Sequence, residues 1–166
     1  MPRNRETETI TAARARELLS LDRRTGHLTW KHPARPKLVG KRAGGASQKG
    51  YRYVTIDERR YPEHRIVWLI VHGDLPEEID HRNGKKADNR PRNLRNGTHA
   101  QNMQNRRKAV AGKLWPIGVR PQTGSGYMAR ITVKGVPKYL GTFPTPEEAG
   151  AAYLKAKREL HGFCTI

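Results

Sequence analysis

The chain has 166 residues, of which 33 are Lys or Arg and 15 Asp or Glu, for a formal charge of +18; so lopsided a balance excludes a generic soluble enzyme and suits a polyanionic partner, nucleic acid first. Mean hydropathy is −0.87, and no stretch approaches the roughly 20 apolar residues of a spanning helix or gives a basic helix with a continuous apolar face, which excludes a membrane partner. The single cysteine, Cys164, excludes an internal disulfide and a cysteine-based zinc knuckle, so any metal is held by oxygen or histidine ligands; a reducing cytoplasm fits, and no secretory signal is visible.

Residues 1 to 9 are polar and aperiodic, an arm. Thr11 to Ser20 predicts a short capped helix with Ala13, Leu18 and Leu19 as its apolar contacts, closing an N-terminal segment of residues 1–20. A Thr25-Gly26 turn and a strand at His27–Trp30 follow. Pro33 to Gly50 is rich in proline and glycine, with Lys37, Lys41, Arg42 and Lys49 between them, and reads as a basic loop. Tyr51–Ile56 alternates like a strand and turns at Asp57–Arg60 into Tyr61, a hairpin. His64–His72, HRIVWLIVH, is the most apolar run and predicts a buried helix capped by Gly73, with Trp68 in the core. His64 is a possible site or phosphate contact, or else a structural hydrogen-bonder at the helix start. His72 caps the negative end of the same helix.

From Ile79 to Arg106 the pattern changes to IDHRNGKKADNRPRNLRNGTHAQNMQNR. Asn83-Gly84 is a tight-turn dipeptide, Arg92–Arg95 is a short returning strand, and Thr98–Gln101 has the form of a capping box that opens a helix. Strand, loop, strand and helix bring Asp80 and His81 against the helix start. A carboxylate oxygen and the Asn102 amide oxygen can then share a hard divalent cation, with water and a phosphate completing its shell. Asn93 lies twelve residues beyond His81 and Asn102 nine beyond that. Asn89 and Asn83 are rivals for Asn93, and Asn105 is a possible rival for Asn102.

This segment resembles the ββα-metal motif of HNH endonucleases, in the variant whose last histidine is asparagine, and ELLSLDRRTGHLTW resembles the entry of phage-type members. The resemblance implies that His81 is the general base, that Asp80 and Asn102 hold the metal, Mg2+ or another divalent cation such as Mn2+, and that Asn93 holds the His81 ring by its other nitrogen. The nuclease domain would span residues 21–108.

Arg106, Arg107, Lys108 and Lys113 then mark a basic stretch that could track DNA, with a linker at 109–116. Ile117 to Phe143 gives three strand-like segments, and Thr145–Glu148 is a second capping box with Pro146 at the first helical position. The helix runs to about His161, with Ala149, Ala152, Tyr153, Ala156 and Leu160 on its apolar side. YLGTFPTPEEAGAAYLKAKRELHG in this unit, residues 117–166, resembles the ethylene-response-factor type DNA-binding domain, in which the open face of a three-stranded sheet enters the major groove. The implied readers are Arg120, Tyr127, Arg130 and Lys138. The expected fold is therefore α+β: a ββα-metal nuclease domain followed by a three-stranded antiparallel sheet packed on one helix. The expected function is a homing-type nickase acting on double-stranded DNA, monomeric, with no protein partner, in the cytoplasm of a bacterial host if phage-encoded. The alternative is a non-catalytic DNA-binding regulator that keeps the fold; an RNA-binding role is weaker, because an aromatic stacking signature is missing.

Overall fold

A computed structural model describes residues 10–47, 50–104, 115–124 and 126–164. Two compact units divide the chain, Met1–Gly97 and Thr98–Ile166. The helix that follows the motif hairpin thus belongs to the second unit. Residues 109–114 of the expected linker lie outside the described residues, as do Arg106, Arg107, Lys108, Lys113 and Asn105.

The first unit opens with helix α1 (Ala12–Leu18), which starts where the Thr11 hydroxyl accepts from the Arg14 N–H. Its inward residues are Ala12, Ala15 and Leu18. Ala13, expected to pack, is exposed, because the core stripe runs one position off the expected one. Strands β1 (Leu19–Asp22) and β2 (His27–Trp30) form an antiparallel hairpin. The proline-rich stretch folds into a short 3-10 turn at Pro36–Leu38 and strand β3 (Gly45–Ala46), which pairs with β4 (Arg52–Ile56); β4 in turn pairs with β5 (Arg59–Pro62). Asp57 and Glu58 both take positive φ, the mirror-image turn that suits a tight hairpin.

Helix α2 (Glu63–His72) carries Ile66, Val67 and Leu69 into a core shared with Leu18, Leu19, Leu28, Val54, Ile56, Tyr61 and Leu94. Gly73, at φ 90°, ends it in the left-handed conformation that glycine adopts without strain. Trp68 is only partly buried, and its ring stacks on His72 with centroids 4.1 Å apart, so His72 packs on an aromatic face. Strands β6 (Glu78–His81) and β7 (Leu94–Gly97) make a third hairpin, with a 3-10 turn at Pro91–Asn93 before β7.

The second unit begins with α3 (His99–Gln104). Its capping box is reciprocal: the Gln101 N–H donates to Thr98 Oγ1 at 3.3 Å and the Thr98 N–H to Gln101 Oε1 at 2.8 Å. Strands β8 (Val119–Pro121), β9 (Tyr127–Val133) and β10 (Val136–Phe143) form an antiparallel sheet with β9 central. Helix α4 (Pro146–Leu160) starts at the Thr145 cap and buries Ala149 with Val119 and Ala129, flanked by Trp115, Tyr127, Leu140 and Phe143.

Candidate active site

The site is built on the β6–β7 hairpin. Asp80 pairs with Arg95 across the strands and His81 with Leu94. Strand alternation sends the two neighbours to opposite faces. His81 is buried, whereas the Asp80 carboxylate accepts from Arg95 Nε at 3.0 Å and Nη2 at 2.8 Å.

Between the strands, residues 82–93 are closed upon themselves. Gly84, at positive φ, makes the turn in which its N–H donates to His81 O. Asn93, expected at the His81 ring, is instead the hub of this loop. Its Oδ1 accepts from the Asn83 N–H at 3.0 Å, its Nδ2 donates to Asp88 O at 2.7 Å, and its own carbonyl accepts from the Arg82 N–H at 2.8 Å. The residue at the ring is Asn89, whose Oδ1 lies 3.1 Å from His81 Nε2 in a buried contact. Asn93 sits in a 3-10 turn rather than a strand, and that curl aims its amide back into the loop. Asp88 supports the same loop, held by Arg90 and by Asn83 Nδ2 at 2.6 Å; the Arg90 guanidinium brings its carboxyl down to about 2.

Gly26, in the β1–β2 turn, presses on the Asn89-Arg90 peptide. A Cβ there would come within 2.3 Å of Arg90 N and Asn89 C, and φ is +75°, so only glycine fits.

On its other side His81 meets the α2 start. The His64 ring stands edge-on to it at 5.2 Å, Tyr51 lies 5.5 Å from His64 and 6.1 Å from His81, and Lys86 Nζ sits 4.6 Å over the Tyr51 ring. Burial lowers the pKa of His81; the Asn89 contact and the Asp80 and Asp88 charges oppose the shift, and Lys86 adds to it. Burial, then His81 and Arg65, bring His64 down to about 3. At neutral pH both imidazoles are therefore uncharged. Nothing in the sequence singles out Tyr51, Lys86 or Arg95, whereas Asn89, at the ring in the structure, stood in the sequence as a rival of Asn93.

Among the described residues no three His, Cys, Asp or Glu side chains cluster as metal ligands. A carboxylate such as Asp80, with an amide oxygen, still fits a hard cation that takes most of its shell from water and phosphate. Asn102 lies on α3, in the second unit.

In that unit, Arg120 pairs with Met128 and Tyr139 with Arg130. Directly opposed residues share a sheet face, and since Ala129 and Ile131 are buried, Arg120, Arg130 and Tyr139 lie on the open one. Tyr127 is on the packed face, its ring 5.0 Å from Trp115. Lys138 pairs with Ile131 and so is also on the helix side. Of the four implied readers, Arg120 and Arg130 thus lie on the open face and Tyr127 and Lys138 on the packed one; the exposed Tyr139 shares the open face.

Residues 61–104 match the family model of the HNH endonucleases. That stretch runs from β5 through α2 and the β6–β7 hairpin to α3, and it includes His64, Asp80, His81, Asn93 and Asn102. It supports an HNH nuclease, with DNA as the substrate it implies. No curated protein and no solved structure matches the chain. No helix among the described residues is long and apolar enough to cross a membrane.

Proposed function

We propose that the chain is a site-selective DNA endonuclease of homing type, a nickase that hydrolyses one phosphodiester bond with His81 as general base. The observation that carries this reading is the buried His81 ring held through Nε2 by Asn89. With Asn89 Oδ1 as the acceptor, Nε2 would carry the imidazole proton and Nδ1 the basic lone pair. His81 would take a proton from water as that water attacks phosphorus in line with the departing oxygen. Asp80 and Asn102 would hold a single Mg2+ or similar cation, which supplies charge stabilisation at the phosphate and leaving oxygen. Arg95 orients the Asp80 carboxylate. Asn93 acts at one remove, by fixing the loop that delivers Asn89.

The C-terminal sheet and helix are read as a DNA-binding domain of the ethylene-response-factor type, with Arg120, Arg130 and Tyr139 as its readers. Phosphate contacts from the basic stretch would position the duplex and the open sheet would specify the sequence.

One observation favours the rival reading of a non-catalytic DNA-binding regulator: Asp80 is already ion-paired to Arg95. Incubating the purified protein with supercoiled plasmid, with magnesium and with EDTA, separates the two. Relaxation that requires the metal identifies the nuclease, and binding without relaxation under both conditions identifies the regulator.

A further inference from the structure

Beyond Ala129, strand β9 has no β8 partner: Gly118 O accepts from the Arg130 N–H and the chain then turns away. The edge left there is the wall of a cleft of about 500 Å³ in the second unit, bounded also by Ile117, by Met103 of α3 and by the last turn of α4. Its charged lining is Arg120, Arg130, Lys134 and Lys157, and among the described residues no carboxylate side chain lines it. Lys157 is buried, with Nζ 6.0 Å from the centre of the Tyr153 ring. One turn on, His161 is only 9% exposed, and among the described residues neither ring nitrogen makes a well-formed hydrogen bond, the Thr132 backbone being a nearby polar contact. A buried polar group left unanswered is costly, and two on one ring point to a ligand that answers them. Burial, then the Lys157 charge, lower the His161 pKa against the opposing pull of the Thr132 backbone, which leaves the ring a neutral donor and acceptor.

We propose that this cleft binds a nucleoside phosphate. The two ends of the cleft differ. His161 caps the C-terminus of α4, where the helix carbonyls make the local field negative, so a phosphate does not belong there. It belongs on Arg130 and Lys134. The polar edge of a base, which both donates and accepts, suits His161, and the apolar walls at Ile117 and Met128 suit its faces. A volume in the range of about 300–1,000 Å³ is that of small-molecule sites. The nucleotide could be free or part of a DNA strand. The inference goes beyond the nuclease reading and does not rest on it, because binding is measured without cleavage.

Isothermal titration of the full-length protein with dAMP tests it, alongside the imidazole resonances of His161. Saturable binding that moves those resonances is expected. Affinity should fall roughly tenfold in His161→Phe, which keeps the bulk but loses both nitrogens. Arg130→Gln, at an exposed position, should weaken binding in the same direction and remains informative if the first variant does not fold. The absence of saturable binding at millimolar dAMP, or unchanged affinity in Arg130→Gln, would overturn the proposal. So would inorganic phosphate binding as tightly as dAMP, since the base would then contribute nothing. Displacement of dAMP by a single-stranded oligonucleotide assigns the site to the DNA strand; failure to displace it assigns the site to a free nucleotide. Both support the proposal.

Discussion

At the scale of single residues, the division of labour between Asn89 and Asn93 makes a sharp contrast. His81→Ala should lower the cleavage rate by roughly 10² to 10⁴ while leaving DNA affinity within a few-fold, the scale of a lost general base. Asn89→Leu should cost about 10- to 100-fold with little effect on folding, because it removes one hydrogen bond to the ring. Asn93→Ala breaks two side-chain bonds to loop backbone and should show first as a lower melting temperature. Single-turnover rates and thermal melts on the three variants check this; an Asn89→Leu protein that cuts normally contradicts the ring assignment. His64 gives a pH prediction. Above about pH 6.5 its ring is neutral folded or unfolded. As pH falls toward 3 the unfolded chain binds a proton that the folded chain refuses, so stability is lost in that window. His64→Phe should flatten the acid limb of a plot of melting temperature against pH.

At the scale of elements, the β1–β2 turn acts on the site without reaching it. Gly26→Ala introduces a methyl group that must displace the Asn89-Arg90 peptide. Cleavage should drop by an order of magnitude or more, and the Nε2 resonance of His81 should shift as its contact with Asn89 opens; an unshifted resonance would show that the turn does not position the loop. Much of this level was legible in the sequence. The caps at Thr11, Thr98 and Thr145 and the glycine after α2 follow from local chemistry that needs no tertiary information, whereas β1, expected as the end of a helix, and β3, expected as loop, exist through their pairing with β2 and β4. Less legible was where a side chain aims. Asn89 and Asn93 are the same residue type four positions apart, and a 3-10 turn decides which amide meets the histidine. Tyr127 and Lys138 lie on the packed face because face follows strand register, which the order of segments does not reveal.

At the scale of the molecule, the charge of +18 predicts steep salt dependence, since each Lys or Arg that neutralises a phosphate releases counterions. The match to the nuclease family includes a single Asp80-His81 constellation, and one site hydrolyses one strand. With each strand of a target duplex labelled separately, early time points should show one strand cut before the other. Simultaneous cutting at a rate that rises with the square of enzyme concentration would argue for a dimer. Replacing Arg120 and Arg130 by alanine should relax site preference more than it reduces nicking of non-specific plasmid, because base contacts specify where phosphate contacts only position.

The stack of Trp68 on His72 makes the end of α2 optically visible. An imidazole stacked on an indole perturbs the emission of that indole. Fluorescence from the native protein should therefore carry a Trp68 contribution that changes when the stack is removed, and His72→Leu should show that change at constant pH. The helix whose first turn bears His64 thus carries its own reporter at the other end, readable in dilute solution without a label.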